Sequence, residues 1–508
     1  MKRLKIFLTQ KKYELIVYFS ILVFCIIVCS PLLQMHIASD TYNLMDLGYF
    51  NYPSIYFLSD ARLISTLVTY LAGFLHLSYP VFIVGMEVLA IFITSVSIFL
   101  LYKTLLEKLH PTYQATDKLH LYDFNLKNIL LMMGSTILIL NAMSLEYLLY
   151  AECAVMCLSV LLCVFASRIF TSQTNFKYSK ALLFVILATF CYQGSTNIFV
   201  VLTLLFLFLD KNDHSTKELI KQSILSLVFW GISLFINVIA IYIIQLLLQT
   251  NQSRIFNEFS SYSLSYFINL LAYIIDEVIM KTFNLWPYGI LPIIIMISTI
   301  LSTCSKDSTK SVLQYILLVL LALGVCILPI FFLQSPSIEP RMAMSIGAIV
   351  GISFIYLNTL PLNVFLQKCI IVATVGFFVF NSVNTLQIFT AHIATNKIDA
   401  NIGLTIKYKI EQYEKASGKE VTKVAYYRDA RHKDFPYGYE KKFSSFSQRA
   451  LDNYYCIIEA LNYFCDRKFE KVDMDVDIYL DNFAGKDWNT YSDEQLVFQE
   501  DTLYLCTY

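Results

Sequence analysis

Long apolar stretches recur along the first three quarters of the chain, and they constrain its fold more than any other feature. Most of them are close to or above the roughly 20 residues that an α-helix needs to cross the hydrocarbon core of a bilayer. Backbone groups inside a bilayer must bond to one another, and the alternating ten-residue pattern of a membrane β-barrel does not occur. The sequence therefore predicts an all-α polytopic membrane protein.

Eleven of these stretches are long enough to be predicted as transmembrane helices. They are 14–33, 81–103, 128–142, 150–169, 181–193, 196–210, 223–249, 285–304, 312–333, 341–358 and 362–388. The apolar segment 62–77 opens at Arg62 and contains His76. We predict that it lies along the membrane surface, within a long first outer loop over 34–80.

The distribution of basic residues sets the orientation, because loops on the cytoplasmic side are enriched in Lys and Arg. With eleven spans, one set of loops holds 18 Lys and Arg and the other holds 4. If 62–77 crossed the membrane, every later loop would change sides and most of this bias would vanish. The bias therefore favours eleven spans, a cytoplasmic N-terminus and an extracytoplasmic C-terminal region.

The composition changes near residue 389, which divides the chain into two predicted domains. Residues 1–388 form the transmembrane domain. Residues 389–508 form a small extracytoplasmic α/β domain, and 397–508 alone contain 16 Lys and Arg and 20 Asp and Glu. Apolar periodicity within it predicts the following elements: strands over Val421–Tyr427, Val476–Leu480 and Leu503–Tyr508, and an amphipathic helix over Phe446–Phe464.

Several function classes have no signature in the sequence. There is no basic footprint for nucleic acid, no metal-ligand spacing among the 12 cysteines, and no glycine-rich phosphate loop. The predicted cytoplasmic loops are too short for a nucleotide-binding domain. An enzyme of this design would take its activated substrate from the lipid, and we expect no further cofactor.

The first outer loop carries the first candidate residues. Asp40 directly follows the first span, where partial desolvation suits a carboxylate to act as a general base. Asp46, Asp60 and Arg62 follow in the same loop and are candidates for substrate binding. The alternative is an ordinary polar loop that contains a few acids.

Further candidates lie in the other outer loops of the eleven-span arrangement. Glu146 follows the third span and Glu152 opens the fourth, while Tyr192 and Gln193 form a tight turn before Gly194. Arg341 opens the tenth span, where a guanidinium needs an anionic partner such as a lipid phosphate. The alternatives are solvated loop acids, a simple turn, and a salt bridge from the arginine to Glu339 or to another helix.

Short motifs along the whole chain resemble the bacterial serotype-converting glucosyltransferases of the Gtr type II kind, which belong to the GT-C class of polytopic transferases. The motifs are Ser39-Asp40-Thr41-Tyr42, Ser59-Asp60-Ala61-Arg62-Leu63-Ile64-Ser65, Cys191-Tyr192-Gln193, Pro340-Arg341, Asp487-Trp488, Glu494-Gln495 and the segment 502–508.

The resemblance implies transfer of a hexose, expected to be glucose, from a polyprenyl-phosphate sugar to a surface polysaccharide such as O-antigen, outside the bacterial cytoplasmic membrane. Asp40 would be the base of an inverting displacement, and Arg341 would stabilise the departing lipid phosphate. Tyr192, Gln193 and Glu146 would orient donor or acceptor. No metal is required. A flippase and a membrane enzyme that makes the donor are expected partners, besides the membrane lipids.

Two other activities fit the same broad features. A transporter or flippase of lipid-linked saccharides commonly contains inverted repeats and glycine- or proline-broken helices, whereas this chain has only 15 glycines. A polysaccharide polymerase would also act on the outer face, and a long outer loop late in the order of spans would favour it. The remaining alternative is a purely structural membrane scaffold.

Overall fold

A computed structural model describes the chain over 2–110, 125–210, 216–248, 264–273, 275–276, 287–303, 308–329, 339–428, 446, 448–486, 488 and 491–507. The fold below refers to these residues. The Asp487 motif position and the last residue, Tyr508, lie outside them.

Most of the described residues are helical. The helices are α1 (Lys2–Cys29), α2 (Ser39–Tyr56), α3 (Leu63–Phe74), α4 (Tyr79–Leu109), α5 (Leu126–Ile139), α6 (Cys153–Phe170), α7 (Lys177–Cys191), α8 (Asn197–Leu209), α9 (Thr216–Leu248), α10 (Leu264–Tyr273), α11 (Leu291–Thr303), α12 (Ser308–Ile327), α13 (Met344–Thr359), α14 (Val364–Ser417), α15 (Ile457–Cys465) and α16 (Val476–Asn482). Short 3-10 helices cover Ala142–Leu148, Gln193–Ser195 and Pro340–Met342.

Five helices in the described part are long and apolar enough to cross a membrane. They are Lys12–Leu33, Tyr79–Leu109, Cys153–Phe170, Lys217–Leu248 and Val364–Ser417. A sixth span is possible if Leu126–Ile139 and Ala142–Leu148, which meet at 65°, are taken together. The fold agrees with the predicted all-α membrane protein, while several of the eleven predicted spans are shorter apolar helices, such as Met344–Thr359.

The bend after α5 is built by Asn141. Its side-chain oxygen accepts a hydrogen bond from the backbone N–H of Met143 at 2.9 Å, and Ser144 completes a capping box. Asn381 of α14 donates to the carbonyl of Leu140 at 3.0 Å. A backbone that leaves a helix inside a bundle must find such partners, because a buried unpaired amide is costly. The bend therefore starts the 3-10 helix Ala142–Leu148 in a fixed direction.

Helices α5 and α13 cross closely because glycine lies at the contact. A methyl group on Gly351 would come within 2.5 Å of the Leu138 backbone nitrogen, and one on Gly134 within 2.7 Å of Ile355. Gly347 similarly faces the side chain of Asn141. Small residues of this kind let helix backbones approach each other in membrane proteins. The crossing thus holds the bend after α5 against the start of α13.

Helices α2 and α3 form the segment that the sequence placed along the membrane surface. Helix α3 has 12 residues, so it is about 18 Å long and shorter than the roughly 30 Å hydrocarbon core. Its side chains Leu67, Leu71 and Phe74 are exposed along one side. Length and exposed apolar face both match a helix that lies in the membrane interface.

Helix α14 runs without interruption from the transmembrane part into the C-terminal region, so the predicted boundary at 388/389 lies inside a helix. After it ends at Gly418, four strands form one sheet in the order β2-β1-β4-β3. The strands are β1 (Lys423–Arg428), β2 (Glu470–Val472), β3 (Leu496–Gln499) and β4 (Thr502–Thr507). Strand β1 is parallel to β2 and to β4, and β3 is antiparallel to β4.

Some of the elements predicted for the C-terminal region are present in the structure, and one is wrong. The strands at Val421–Tyr427 and Leu503–Tyr508 correspond to β1 and β4, and the amphipathic helix is present only over Ile457–Cys465. The strand predicted at Val476–Leu480 is wrong, because these residues belong to α16. The Asp475 side chain accepts hydrogen bonds from the N–H groups of Asp477 and Ile478, and this cap starts a helix.

The C-terminal region packs against α2. Tyr42 belongs to the same buried apolar cluster as Ile406 of α14 and Leu461 of α15. Asp399 of α14 also binds Arg449 at 2.9 Å and the backbone N–H of Ala450 at 2.6 Å. One helix of the first outer loop is therefore shared between the transmembrane domain and the C-terminal domain.

Substitution of Gly351 by alanine tests the α5–α13 crossing. We expect a loss of about 1–3 kcal/mol in stability, because the added methyl group overlaps backbone atoms that cannot move aside easily. The matched control is Gly376→Ala on α14, where a methyl group meets nothing within 4 Å. Thermal unfolding in detergent measures both variants, and equal melting temperatures for the two would contradict the close crossing.

Candidate functional site

Two 3-10 helices meet at the centre of the site and bring Glu146 and Arg341 together. Arg341 Nη1 lies 2.9 Å from Glu146 Oε2 and donates to the Tyr150 hydroxyl at 2.7 Å. The Tyr147 hydroxyl donates to the Arg341 carbonyl at 2.5 Å. Glu146 is 0% exposed and Arg341 is 20% exposed. The guanidinium is thus fixed in position, and the salt bridge that the sequence left as an alternative exists, chiefly to Glu146 rather than to Glu339 at 3.9 Å.

A second arginine, Arg62, lies nearby with its own carboxylate partners. Its guanidinium is 3.1 Å from Asp60 and 3.9 Å from Glu152. Ala61, between Asp60 and Arg62, has φ +50°, a left-handed conformation that is uncommon for alanine and costs about 1 kcal/mol. Backbone strain of this kind is often retained at functional sites. Here it lies between two charged side chains that form one ion pair.

Tyr192 is buried between the two arginines. The Cζ atom of Arg62 is 5.1 Å from the centre of the Tyr192 ring, and the phenol is close enough to Arg341 to interact with it electrostatically. A tyrosine hydroxyl can both donate and accept hydrogen bonds, so Tyr192 can donate one to an anion held between Arg62 and Arg341.

Two carboxylates of different environment border this group. Glu152 is buried, and it is close enough to Arg62 and Asp40 to interact electrostatically with both. Asp40 is exposed in the first turn of α2, so the partial desolvation expected from the sequence is absent, and the helix dipole there stabilises an ionised carboxylate. The buried ring of Tyr52 lies close enough to interact with Asp40, Glu152 and Arg62. The site thus has a solvent-facing carboxylate beside a buried one.

The turn between α7 and α8 forms hydrogen bonds with the Arg62 segment and with the Arg341 segment. Gln193 Nε2 donates to the Asp60 carbonyl and, at 3.2 Å, to Asn237 Oδ1 of α9. Asn197 Nδ2 donates to the Met342 carbonyl at 2.8 Å. Gln193 therefore supports the Arg62 segment, and Asn197 supports the Arg341 segment.

Three buried polar atoms without a hydrogen-bond partner belong to residues of this site. Among the residues that the structure describes, they are Arg62 Nε, Asn197 Oδ1 and Asn237 Nδ2. Most buried polar atoms in proteins are paired, so each exception calls for an explanation. A cluster that holds two guanidinium groups, a phenol and unsatisfied amide atoms is suited to bind an anionic, hydroxyl-rich ligand.

Asp46 is the predicted site residue that the structure does not bring into the cluster. It lies six residues after Asp40 and so points about 120° away around α2. Its carboxylate accepts from Asn462 Nδ2 at 3.0 Å and lies 3.5 Å from Lys468 Nζ. Asp46 therefore contacts the C-terminal domain, and the substrate-binding role predicted for it has no geometric support.

Sequence reasoning missed three residues of the site. Glu152 was recognised as an outer acid but was not chosen as a site residue, although a position at the boundary of a predicted span is the same signal that selected Asp40. Asn197 and Asn237 are amides within apolar helices, and a polar residue in such a helix is the signal that could have found them. Glu87, inside α4, lies 3.9 Å from His36 and belongs to none of the ion pairs described for this cluster.

Within the described residues, no group of three His, Cys, Asp or Glu side chains is arranged to hold a metal ion. Comparison with known proteins adds no further assignment: no family model matches the chain, and no curated protein and no solved structure matches it.

Removal of the Glu146 carboxylate tests the central ion pair. Glu146→Ala leaves the Arg341 charge without its buried partner, and we expect a loss of about 3–5 kcal/mol in stability. The control Glu339→Ala removes a partner that is 40% exposed and 3.9 Å away, so its effect should be below about 1 kcal/mol. Chemical unfolding in detergent compares the two. Similar losses in both variants would contradict the central role of Glu146.

Proposed function

We propose that this protein is a glycosyltransferase of the cytoplasmic membrane that moves a hexose from a polyprenyl-phosphate-linked donor to a surface polysaccharide on the outer face. The observation that carries the proposal is the cluster of Arg62, Arg341 and Tyr192, with unsatisfied buried polar atoms, beside the exposed carboxylate of Asp40. A phosphate fits the paired guanidinium groups, because arginine binds phosphate oxygens through two parallel hydrogen bonds.

The mechanism follows from the positions of the charges. Asp40 accepts the proton of an acceptor hydroxyl, whose oxygen then forms a bond to the anomeric carbon. The bond from that carbon to the phosphate oxygen breaks at the same time, and the polyprenyl phosphate leaves with the electron pair. Arg62 and Arg341 stabilise the negative charge on the departing phosphate, and Tyr192 donates a hydrogen bond to it. A displacement of this kind inverts the anomeric configuration.

The carboxylate partners of the arginines have a defined task in this scheme. Glu146, Asp60 and Glu152 balance the two guanidinium charges before the donor arrives. Arginine has five N–H donors, so a phosphate can bind while one carboxylate contact is kept. The carboxylates therefore hold the guanidinium groups in place without blocking the phosphate.

The proposed membrane arrangement has eleven spans, with the site and the C-terminal domain on the outer side. The excess of Lys and Arg in the opposite loops supports it. So does the short helix α3, whose exposed leucines suit the membrane interface. A lipid-linked donor would then reach the arginines from the bilayer, and the acceptor would reach Asp40 from water.

Cysteine labelling of intact cells tests this topology. In a background where Cys304 and Cys369 are replaced by serine, Lys415→Cys should react with a membrane-impermeant maleimide. Gln173→Cys, in a predicted cytoplasmic loop, should react only after permeabilisation. Both positions are exposed, so access to the reagent depends on the side of the membrane. The reverse pattern would place the site in the cytoplasm.

Replacement of Asp40 by asparagine tests the chemistry. The surface glycan of cells carrying Asp40→Asn is compared with wild type, with a deletion strain and with Asp46→Asn, at equal protein levels in the membrane. We expect Asp40→Asn to lower transfer by about a hundredfold or more, because it removes the general base. Asp46→Asn should retain transfer, since Asp46 contacts the C-terminal domain instead.

The other outcomes discriminate between functions. Normal glycosylation by Asp40→Asn would exclude Asp40 as the base. An unchanged set of glycans in the deletion strain would overturn the transferase proposal and favour transport of lipid-linked saccharides. Loss of polysaccharide length, with its sugar composition intact, would indicate a polymerase.

A further inference from the structure

Two adjacent tyrosines of the C-terminal domain are exposed on a firmly held backbone. Tyr454 is 56% exposed and Tyr455 is 63% exposed, and their ring centres are 3.9 Å apart. Exposed aromatic rings that lie together on an ordered segment are typical of binding surfaces, because tyrosine offers a large contact area at low cost in conformational entropy.

Hydrogen bonds fix the backbone beneath these rings on both sides. The Tyr455 carbonyl accepts from Asn43 Nδ2 of α2 at 3.3 Å, and its N–H donates to Asn453 Oδ1 at 3.2 Å. The Tyr454 carbonyl accepts from the Tyr426 hydroxyl of β1 at 3.2 Å. The tyrosine pair is thus held between the first outer loop and the C-terminal sheet.

Groups of both charges surround the pair. Arg428 Nε lies 3.1 Å from Asp452 Oδ1, and Lys471 Nζ lies 3.1 Å from the Tyr426 hydroxyl. An apolar platform ringed by hydrogen-bonding groups matches a saccharide, which has C–H faces that stack on aromatic rings and hydroxyl groups around its edge.

The pair also lies close to the proposed base. Asn43, which binds the Tyr455 carbonyl, follows Asp40 by three residues on α2, and such positions are about 5–6 Å apart between their Cβ atoms. The thiol of Cys456, the next residue after Tyr455, is near enough to feel the charge of Asp40. A sugar chain that rests on the rings therefore has a hydroxyl group within reach of Asp40.

We propose that Tyr454 and Tyr455 form the platform that binds the acceptor polysaccharide and presents its hydroxyl group to Asp40. This assignment rests on the proposed function and names the side from which the acceptor enters. The C-terminal domain then selects the acceptor, while the transmembrane domain holds the donor.

The test titrates the full-length protein in lipid nanodiscs with surface polysaccharide purified from a host strain that lacks the gene. Replacement of both tyrosines by alanine should raise the Kd about tenfold, equivalent to about 1.4 kcal/mol, because the stacking surface is removed. Replacement of both by phenylalanine keeps the rings and should leave the Kd within about twofold of wild type. Tyr408→Ala is the matched control, since Tyr408 is 57% exposed on α14.

Unchanged binding by the folded alanine variant would overturn the platform but leave the transferase proposal standing, provided that wild type binds and Asp40→Asn abolishes transfer. No binding by wild type would overturn both proposals. If the double variant fails to fold, Tyr454→Gln and Tyr455→Gln replace it, and an unchanged Kd in both would overturn the platform.

Discussion

The ion pair between Glu146 and Arg341 is the contact on which the rest of the site depends. A carboxylate with no solvent exposure is tolerated only when a charge and hydrogen bonds compensate it. Arg341 supplies the charge, and in return its guanidinium is held by Glu146 and Tyr150. Because the Tyr147 hydroxyl also binds the Arg341 carbonyl, both backbone and side chain of the arginine are fixed. The neighbouring Tyr192 and Arg62 then pack against an immobile charge.

This ion pair joins two 3-10 helices, one after the bend that follows α5 and one directly before α13. The bend at Asn141 turns the chain after α5, and Pro340–Met342 precedes α13. Regular helices would direct the backbone N–H and carbonyl groups of these residues along the helix axis. The two 3-10 helices instead let side chains from distant parts of the chain converge. The glycine contacts between α5 and α13 set the distance between these two parts. Irregular backbone in a membrane protein is tolerated where other parts of the protein surround it.

Sequence reasoning reached most of the charged residues of the site, because an acid or an arginine at the end of an apolar stretch has few explanations other than function or pairing. It could not pair Glu146 with Arg341, since 195 positions separate them and only the helix packing joins them. It placed Asp46 with Asp40 by proximity along the chain, whereas the turn of α2 directs Asp46 to Asn462. It read Val476–Leu480 as a strand from its alternation, although the Asp475 cap decides for a helix.

Helix α2 contacts both the charged residues of the site and the C-terminal domain. Its first turn carries Asp40 toward Glu152 and Tyr52, while Asn43 and Asp46, farther along, bind the C-terminal domain. A movement of that domain would therefore shift the carboxylate relative to the arginines. The continuous helix α14 and the buried contact between Asp399 and Arg449 oppose such a movement. A rigid connection of this kind suits a reaction whose two substrates arrive from different phases, because the distance between a base and a leaving group must be set before either substrate binds.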